Sequence, residues 1–359
     1  MASYKLNRYI IFKEIENEIL ALNLFNKKTI VISREKYQLI KRYENDISYL
    51  KYDNKNLFSL LYKLDFILDS SRNELDELKF IYLNQIYRDT SYRLTLIPSL
   101  ECNFNCWYCY ESKSNGYMTD KVKERIISHV NHKINYEKIS FIDLDWFGGE
   151  PLLYFDEVVY PISLKILEIA RKKNLPFKNR ITTNGYLLDE ERIKKLNEIK
   201  LNNFQITIDG SEEFHQKVKK GKDTYKRTIE NINMMTSYFD DIHLLLRVNM
   251  SNENLESIPE IIKDIPVDNR RKIEIAFQEI WQIKNNINKG KDNLPEIFKK
   301  EGFKINEYFP PRVQGCYADK LEQAVINYDG LVYKCTARDF IEQNSDGYLK
   351  TNGEIEWNS

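Results

Sequence analysis

The sequence predicts an α/β protein built around a parallel β-sheet, and two observations support this fold class. Six short apolar segments alternate with helix-length amphipathic segments between residues 92 and 279, a rhythm typical of βαβ units. Hydrophobic residues make up 42% of the 359 residues and aromatic residues 13%, so the chain can bury a sizeable core and is not a disordered polymer. Right-handed crossovers would curl such a sheet into a barrel or partial barrel, although a doubly wound open sheet has the same rhythm.

Residues 1–90 predict a small module of their own. Three β-rich runs, YKLNRYIIF, EILALNLF and KTIVIS, are separated by polar breaks and indicate consecutive hairpins. Three helical patterns follow, REKYQLIKRY, NLFSLLYKL and ELDELKFIYLNQIY, the last with Leu75, Leu78, Ile81 and Tyr82 at helical spacing. Strands followed by helices predict a winged-helix-like α+β module.

Residues 91–280 predict the main α/β domain. We expect its strands at 92–99, 138–147, 178–184, 202–209, 242–250 and 272–279. We expect its helices at 120–134, 155–173, 189–199, 224–239 and 254–265. The carboxyl ends of parallel strands are where such folds place their functional residues. Residues 281–359 are less regular and predict a linker and an extension.

Charge and hydropathy exclude some classes of protein. Lys plus Arg and Asp plus Glu both number 54, so the formal net charge is zero, which argues against electrostatic capture of nucleic acid. The sequence has no long apolar run that would span a bilayer and no apolar signal segment at its start. We therefore expect a cytoplasmic protein without a membrane or nucleic-acid partner.

Three of the five cysteines lie within eight residues of one another. Cys102, Cys106 and Cys109 form a C-x3-C-x2-C pattern directly after the first strand of the main domain. Three thiolates on one short loop can hold an iron–sulfur cube and leave one iron open for chemistry. A structural zinc site is the alternative, but it needs a fourth ligand and no histidine is near in sequence.

This cysteine pattern, with the aromatic Tyr108 before the last cysteine and a six-fold βα repeat around it, resembles the radical S-adenosylmethionine (SAM) enzymes. The resemblance covers roughly residues 92–340 and implies a partial (β/α)6 TIM-like barrel. It implies that Cys102, Cys106 and Cys109 hold a [4Fe–4S] cluster whose fourth iron binds SAM, and that Tyr108 lies beside the adenine. It also implies an electron donor such as flavodoxin or ferredoxin.

Further motifs at strand ends match the same family. The turn DWFGGEPLL supplies Gly148, Gly149 and Glu150, which the resemblance assigns to the ammonium group of SAM. Thr183 and Asn184 end the third strand and would point towards SAM.

Two charged residues lie near the ends of later strands. Asp209 ends the fourth strand, where it would contact a ribose or substrate or else cap a turn. Arg247 lies inside the fifth strand and needs an anionic partner, either the carboxylate of SAM or a protein carboxylate. His215, after the fourth strand, is an acid–base candidate or a structural histidine.

Cys316 and Cys335 surround a predicted hairpin turn at Asp329-Gly330. Their C-x13-G-x4-C spacing resembles the opening of the SPASM extension, which marks enzymes that modify peptides or proteins and carry auxiliary [4Fe–4S] clusters. The second cysteine group of that extension does not follow. We therefore expect either a sequence that stops short of the full extension or a site completed by other ligands.

The amino-terminal module resembles the leader-peptide-binding modules of peptide-modifying radical SAM enzymes, which add the leader as a strand at a sheet edge. A structural lid is the alternative. The leading hypothesis is thus a radical SAM enzyme that modifies a precursor peptide or protein, by a thioether or other crosslink. The alternatives are formylglycine formation of the sulfatase-maturase type, a non-catalytic binding protein of the same fold, and chemistry on a small molecule.

Overall fold

The computed structural model describes residues 3–87, 90–283, 293–306 and 316–358. These residues fall into two compact units, one comprising 3–87 with Cys316 and the other comprising the remaining described residues. Residues 284–292 and 307–315, which belong to the predicted linker and extension, and the junction at 88–89 lie outside the described residues. The predicted functional boundaries at 90 and 280 stay predictions.

The amino-terminal unit contains a three-stranded antiparallel sheet and a two-stranded sheet. Its strands are β1 (Tyr4–Leu6), β2 (Ile10–Ile15), β3 (Glu18–Asn23), β4 (Thr29–Ser33) and β5 (Ile67–Asp69). Its helices are α1 (Arg34–Arg42), α2 (Leu50–Asp53), α3 (Lys55–Lys63) and α4 (Glu74–Tyr87). The predicted hairpins appear as β2–β3–β4, and β1 pairs with β5 instead.

The first predicted run splits into β1 and β2 because Asn7 interrupts it. Asn7 is buried, and its backbone N–H and side-chain amide donate to the carbonyls of Phe66 and Asp65. Its side-chain oxygen accepts from the backbone N–H of Tyr9. A polar side chain that bonds local backbone groups in this way competes with continuation of a strand.

The second unit is organised around a sheet of eleven strands with the order β12-β11-β10-β9-β8-β7-β6-β13-β14-β15-β16. The strands are β6 (Ser91–Leu96), β7 (Phe141–Trp146), β8 (Phe177–Thr183), β9 (Leu201–Ile208), β10 (His243–Met250), β11 (Ile273–Glu279), β12 (Lys304–Ile305), β13 (Gln323–Ile326), β14 (Leu331–Tyr333), β15 (Gly347–Leu349) and β16 (Ile355–Trp357). Strands β6 to β12 are parallel, and β13 adds in parallel on the other side of β6. The predicted α/β fold with a parallel sheet is confirmed, and the described strands form no closed barrel.

The helices of this unit are α5 (Asp120–Tyr136), α6 (Tyr160–Lys172), α7 (Glu190–Glu198), α8 (Glu212–Lys219), α9 (Thr224–Tyr238), α10 (Val267–Arg270) and α11 (Leu294–Lys300). The prediction of one helix over 254–265 was wrong, because the chain forms only a 3-10 helix at Ile258–Asp264, with Pro259 in its first turn. Helix α8 was not predicted. Within the described residues, no helix combines the length and the apolarity that crossing a bilayer requires.

The two faces of the parallel sheet differ sharply in polarity. One set of alternating side chains is apolar and buried, as in β10, where Leu244, Leu246 and Val248 are 0% exposed. The other set is polar, as Arg247 and Asn249 show in the same strand. Because strand side chains alternate between faces, the apolar set packs in the hydrophobic core with the helices, and the polar set faces the concave side where the functional cavities lie.

Candidate functional site

The three clustered cysteines lie on the loop that follows β6 and line one cavity. This cavity, here called the cysteine cavity, has a volume of about 200 Å³. Its lining includes Cys102, Cys106, Cys109, Tyr108, Gly148, Gly149, Thr183, Asn184, Lys219 and Arg247. All three thiols are free, and a hydrogen bond from the Phe104 backbone N–H to Cys102 Sγ (3.4 Å) helps to shape the loop. Most of the predicted site residues therefore share one cavity at the carboxyl ends of the strands.

The Gly148-Gly149 turn packs directly against the start of the cysteine loop. A Cβ atom on Gly149 would lie 2.1 Å from the carbonyl oxygen of Glu101, which is a backbone atom and cannot swing away. The Glu150 N–H donates to that same carbonyl at 2.8 Å. Only glycine permits this approach, so the turn after β7 fixes the position where the cysteine loop begins.

Glu150 lies beneath the cavity and is 0% exposed. Its carboxylate accepts hydrogen bonds from the Thr183 hydroxyl (2.6 Å) and from the backbone N–H groups of Asn184 (2.8 Å) and Leu152 (3.0 Å). Burial raises the pKa of Glu150 above its usual value, and these donors oppose that rise. The structure thus uses the carboxylate to join the ends of β7 and β8, while Thr183 and Asn184 themselves line the cavity.

Asp209 also lies under the cavity rather than in its lining. The hydroxyl of Tyr108 donates to its carboxylate at 2.8 Å, and Lys219 Nζ lies 2.9 Å from the other oxygen. Lys219 also donates to the Tyr108 hydroxyl at 2.8 Å. Asp209 is 0% exposed and Lys219 is 4% exposed. The triad of Tyr108, Asp209 and Lys219 connects the cysteine loop to the end of β9 and to helix α8.

The charges of this triad stabilise one another. Burial raises the pKa of Asp209, but attraction to Lys219 and hydrogen bonds from Lys219 and Tyr108 outweigh it and leave the pKa below its usual value. Burial lowers the pKa of Lys219, and attraction to Asp209 outweighs it, so the lysine pKa is raised. Both groups are therefore charged at neutral pH, as a buried pair requires. His215 is neutral, because burial and Lys219 lower its pKa to about 3.

Arg247 lines the cysteine cavity from β10. Its Nε donates to Asn249 Oδ1 at 3.0 Å, and among the described residues it forms no ion pair. Of the two partners expected from the sequence, a protein carboxylate is therefore not found in the described part of the chain. An arginine in this state can bind an anionic group of a ligand with two parallel hydrogen bonds.

The donor set fits an iron–sulfur cluster with SAM. Three soft thiols share one cavity, and the glycine turn allows a ligand close to the backbone. Within the described residues, no three or more Cys, His, Asp or Glu side chains are already gathered as metal ligands. The fit thus rests on the shared cavity and the chemistry of the donors. Burial raises the pKa of Cys102 to about 12 in the metal-free chain.

Sequence reasoning missed Lys219 and Glu111. Lys219 lies on α8, which has its N-cap at Ser211, two acidic residues in its first turn and Gly221 just beyond its end. This pattern does predict a helix. Glu111 lines the cavity, and one of its carboxylate oxygens is buried without a hydrogen-bond donor among the described residues. Burial, with repulsion from Asp339, raises the pKa of Glu111 to about 7.

Among the described residues, neither Cys316 nor Cys335 forms a disulfide. The predicted hairpin between them is confirmed: β13 and β14 pair antiparallel, and Gly330 at the turn has φ +92°. Cys335 Sγ accepts a hydrogen bond from the Ala337 N–H (3.3 Å) and lies 3.8 Å from the Tyr317 hydroxyl.

Sequence comparisons identify relatives over much of the chain. An uncharacterised protein of Methanocaldococcus jannaschii is 26% identical over 252 residues, which cover 67% of this chain and 84% of that protein. A cysteine-type anaerobic sulfatase-maturating enzyme of Clostridium perfringens is 31% identical over 160 residues, or 40% of each chain.

Solved structures with the same fold include the sulfatase-maturating enzyme anSMEcpe with bound AdoMet. It has a TM-score of 0.55 at 21% identity and covers 72% of this chain and 78% of its own. The same protein is also known with AdoMet and the Cp18Cys peptide, with a TM-score of 0.54. Streptococcus suis SuiB with S-adenosylmethionine has a TM-score of 0.50 at 14% identity, over 95% of this chain and 84% of SuiB.

The model of the radical SAM superfamily matches residues 96–265. This range includes the cysteine loop, the glycine turn and the ends of β7 to β10. The part of the chain that carries the candidate site is therefore similar to the radical SAM superfamily.

Proposed function

We propose that this protein is a radical SAM enzyme that modifies a ribosomally made peptide or protein. The observation that carries the proposal is the convergence of three free thiols, the glycine turn and Arg247 on one cavity at the carboxyl ends of a parallel sheet. When bound, a [4Fe–4S] cluster supplies the electron that cleaves SAM to methionine and a 5′-deoxyadenosyl radical.

Each cavity residue has a role in this proposal. Cys102, Cys106 and Cys109 hold the cluster. Gly148 and Gly149 leave room for the amino-acid part of SAM, and Arg247 binds its carboxylate or that of the substrate.

The remaining predicted residues shape the other side of the cavity. Thr183, Asn184 and Tyr108 contact the rest of SAM. Glu150 and Asp209 hold these side chains in place, since their own carboxylates are occupied by protein donors.

Two observations support a peptide as the substrate. A structure with the same fold was solved with a bound peptide. In the amino-terminal unit, β2 and β4 are the edges of the three-stranded sheet, and Ile11 on β2 and Val31 on β4 are about half exposed, at 49% and 57%. An exposed edge strand can pair with an extended peptide.

Cys316 and Cys335 are proposed as part of an auxiliary cluster site.

The test is reductive cleavage of SAM by the full chain. Protein reconstituted anaerobically with iron and sulfide should show cluster absorbance and release 5′-deoxyadenosine after reduction. Cys106→Ala should lose both signals, whereas Ser237→Ala, an exposed substitution on α9, should keep both. An intact cluster that never yields 5′-deoxyadenosine in the presence of SAM would refute the enzyme assignment and favour a binding protein.

Formylglycine formation is a second candidate, because the Clostridium perfringens relative is a cysteine-type sulfatase-maturating enzyme. The two reactions leave different products. A crosslinked peptide loses hydrogen and gains no aldehyde, whereas a formylglycine peptide loses its cysteine thiol and reacts with a hydrazide probe. Mass spectrometry of a co-expressed precursor peptide, before and after the hydrazide, separates them.

A further inference from the structure

A second cavity adjoins the cysteine cavity on the concave side of the sheet. This inner cavity has a volume of about 480 Å³. It shares Tyr110, Phe147, Arg247 and Trp281 with the cysteine cavity. A group bound in the inner cavity would therefore lie next to the proposed SAM site.

The inner cavity extends to the amino-terminal ends of the strands, and its lining combines polar side chains with apolar ones such as Phe147, Leu245 and Trp281. Lys178 and Arg180 come from β8, and Asn203 and Gln205 come from β9. Their spacing of two residues places each pair on the same face of the sheet. A closed (β/α)8 barrel fills this space with branched apolar side chains. Here the space is open and several charged and polar side chains line it, which fits a binding compartment.

The cations of the inner cavity exceed the carboxylates that neutralise them. Arg93 pairs with Asp145 at 2.8 Å, and Arg180 pairs with Asp143. The side chain of Lys178 forms no ion pair or hydrogen bond among the described residues, although it lines the cavity. Glu279 is the further carboxylate in the lining, and His243 lies 3.8 Å from Glu274 at the rim. Arg247 also forms no ion pair among the described residues, so the described lining has more cations than carboxylates.

Arg93 supplies a further unused donor. Its Nε is buried and has no hydrogen-bond acceptor among the described residues, and its guanidinium is fixed in place by stacking on the Tyr317 ring at 4.6 Å. A buried donor without an acceptor is costly, and a ligand oxygen would satisfy it. Guanidinium groups and a lysine together are suited to a carboxylate.

We propose that the inner cavity binds a carboxylate of the peptide segment that the enzyme modifies, through Lys178 with Arg93 and Arg180. This inference rests on the proposed function and names the chemistry of its substrate. The carboxylate comes from an acidic side chain or from the carboxyl terminus of the peptide. In either case it anchors the segment so that a neighbouring residue lies at the cysteine cavity.

The test measures binding separately from SAM cleavage. Three probes are titrated into the anaerobically reconstituted full chain with SAM and without reductant: acetyl-Gly-Glu-Gly-amide, acetyl-Gly-Gln-Gly-amide, and acetyl-Gly-Gln-Gly with a free carboxylate. Ligand-observed NMR gives the dissociation constants. We expect the glutamate probe or the free-carboxylate probe to bind about tenfold more tightly than the neutral one. The tighter of the two identifies the source of the carboxylate, and equal binding of all three overturns the inference.

Variants locate the preference within the chain. Lys178→Gln should reduce the tenfold preference to about threefold, since one of several cations is lost. Lys178→Arg should retain it. Lys172→Gln, the same change at an exposed position on α6, is the control and should bind as the unaltered protein does. A Lys178→Gln protein that keeps its melting temperature and its full preference overturns the assignment to the inner cavity.

The result is independent of the proposed function as a whole. Release of 5′-deoxyadenosine by the unaltered enzyme, measured without any peptide, tests the radical SAM assignment alone. If it is released but the probes bind equally, only the inference about the substrate fails. If it is not released from an intact cluster, the proposed function fails whatever the probes do.

Discussion

At the scale of single residues, buried charge is concentrated where the cysteine loop meets the sheet. Asp209 and Lys219 face each other at 2.9 Å with almost no solvent contact. Removing one partner of such a pair leaves the other charge buried and uncompensated, which costs far more than the pair contributes as a whole. The Tyr108 hydroxyl bonds to both, so this cost bears directly on the cysteine loop.

We predict that Lys219→Met lowers the free energy of unfolding by about 3 kcal/mol at pH 7. Asp209 has a lowered pKa in the native protein, so its contribution is present above its unfolded-state pKa and is lost as the pH falls through its native pKa. In the variant, burial without the lysine raises that pKa, so the deficit should shrink as the pH falls and Asp209 is protonated. Urea unfolding of the two proteins at pH 7 and at pH 5 measures the loss of free energy and its decrease at the lower pH.

Lys217→Met on the same helix is the control for that experiment. Lys217 is 72% exposed and lies 3.4 Å from Glu253, which is 71% exposed, so its loss should change stability by less than about 0.5 kcal/mol. If the two lysine variants unfold alike, the buried pair does not stabilise the fold.

A second residue-scale prediction concerns the close approach at Gly149. Gly149→Ala should lower the free energy of unfolding by about 2 kcal/mol or more, because its Cβ would meet the Glu101 carbonyl and the chain must shift. Gly302→Ala is the comparison: it meets no atom within 4 Å and carries only the strain of φ +94°, at about 1 kcal/mol. Thermal unfolding of both variants measures whether Gly149→Ala loses more stability than Gly302→Ala.

At the scale of elements, helix α8 positions Lys219 at the site. The helix is only eight residues long, and the residue after it has a strained backbone conformation. Its last turn is closed by Lys220 in the left-handed region, with φ 55° and ψ 34°. Glycine usually occupies this position because other residues lose energy there. The helix is thus held by the burial of His215, Val218 and Lys219 more than by its carboxyl-terminal residue.

Lys220→Gly should therefore raise the free energy of unfolding by about 0.5 kcal/mol, the difference between relieved strain and the added freedom of the unfolded chain. The same change inside the helix, Lys217→Gly, should lower it by about 1 kcal/mol. If chemical unfolding gives changes of opposite sign in the free energy of unfolding for the two variants, α8 ends at Lys220. A loss of stability at both positions would contradict the left-handed cap.

At the scale of the whole molecule, the parallel sheet is apolar towards the helices and polar towards the concave side. Gln205 and Ile206 are neighbours on β9 that face opposite ways: Gln205 lines both cavities, and Ile206 is 0% exposed in the core. An open polar interior contributes little to stability, and it is retained here where the proposed substrate and SAM would bind.

We predict that Gln205→Leu leaves the free energy of unfolding within about 1 kcal/mol of its original value while it weakens peptide modification. Ile206→Gln should lower that free energy by about 3 kcal/mol, because it buries an amide without partners. Denaturant titration and product analysis measure the two effects. Equal destabilisation by both changes would show that the two faces do not differ as described.

The sequence predicted the six parallel strands because each is a short apolar run between helical segments, and it predicted the cysteine loop because three thiols at that spacing are rare without a metal. It did not predict α8, although Ser211 and the acidic pair after it signal a helix start. The 254–265 segment was predicted as one helix because its apolar spacing suits an α-helix as well as a 3-10 helix. Pro259 and the local packing favour the 3-10 helix.

Local sequence patterns were enough to predict the α/β class, the place of the thiols after the first strand of the main domain, and the glycine turn that adjoins them. All of these depend on residues near one another along the chain. The folded chain was needed to find that the carboxylates of Glu150 and Asp209 are buried and accept hydrogen bonds from protein donors. It was also needed to find that Lys219 bonds to Tyr108 and that Arg93, Lys178 and Arg180 share a cavity. These relations join residues far apart in sequence, and they depend on strand register and on which face each side chain takes, which local patterns do not specify.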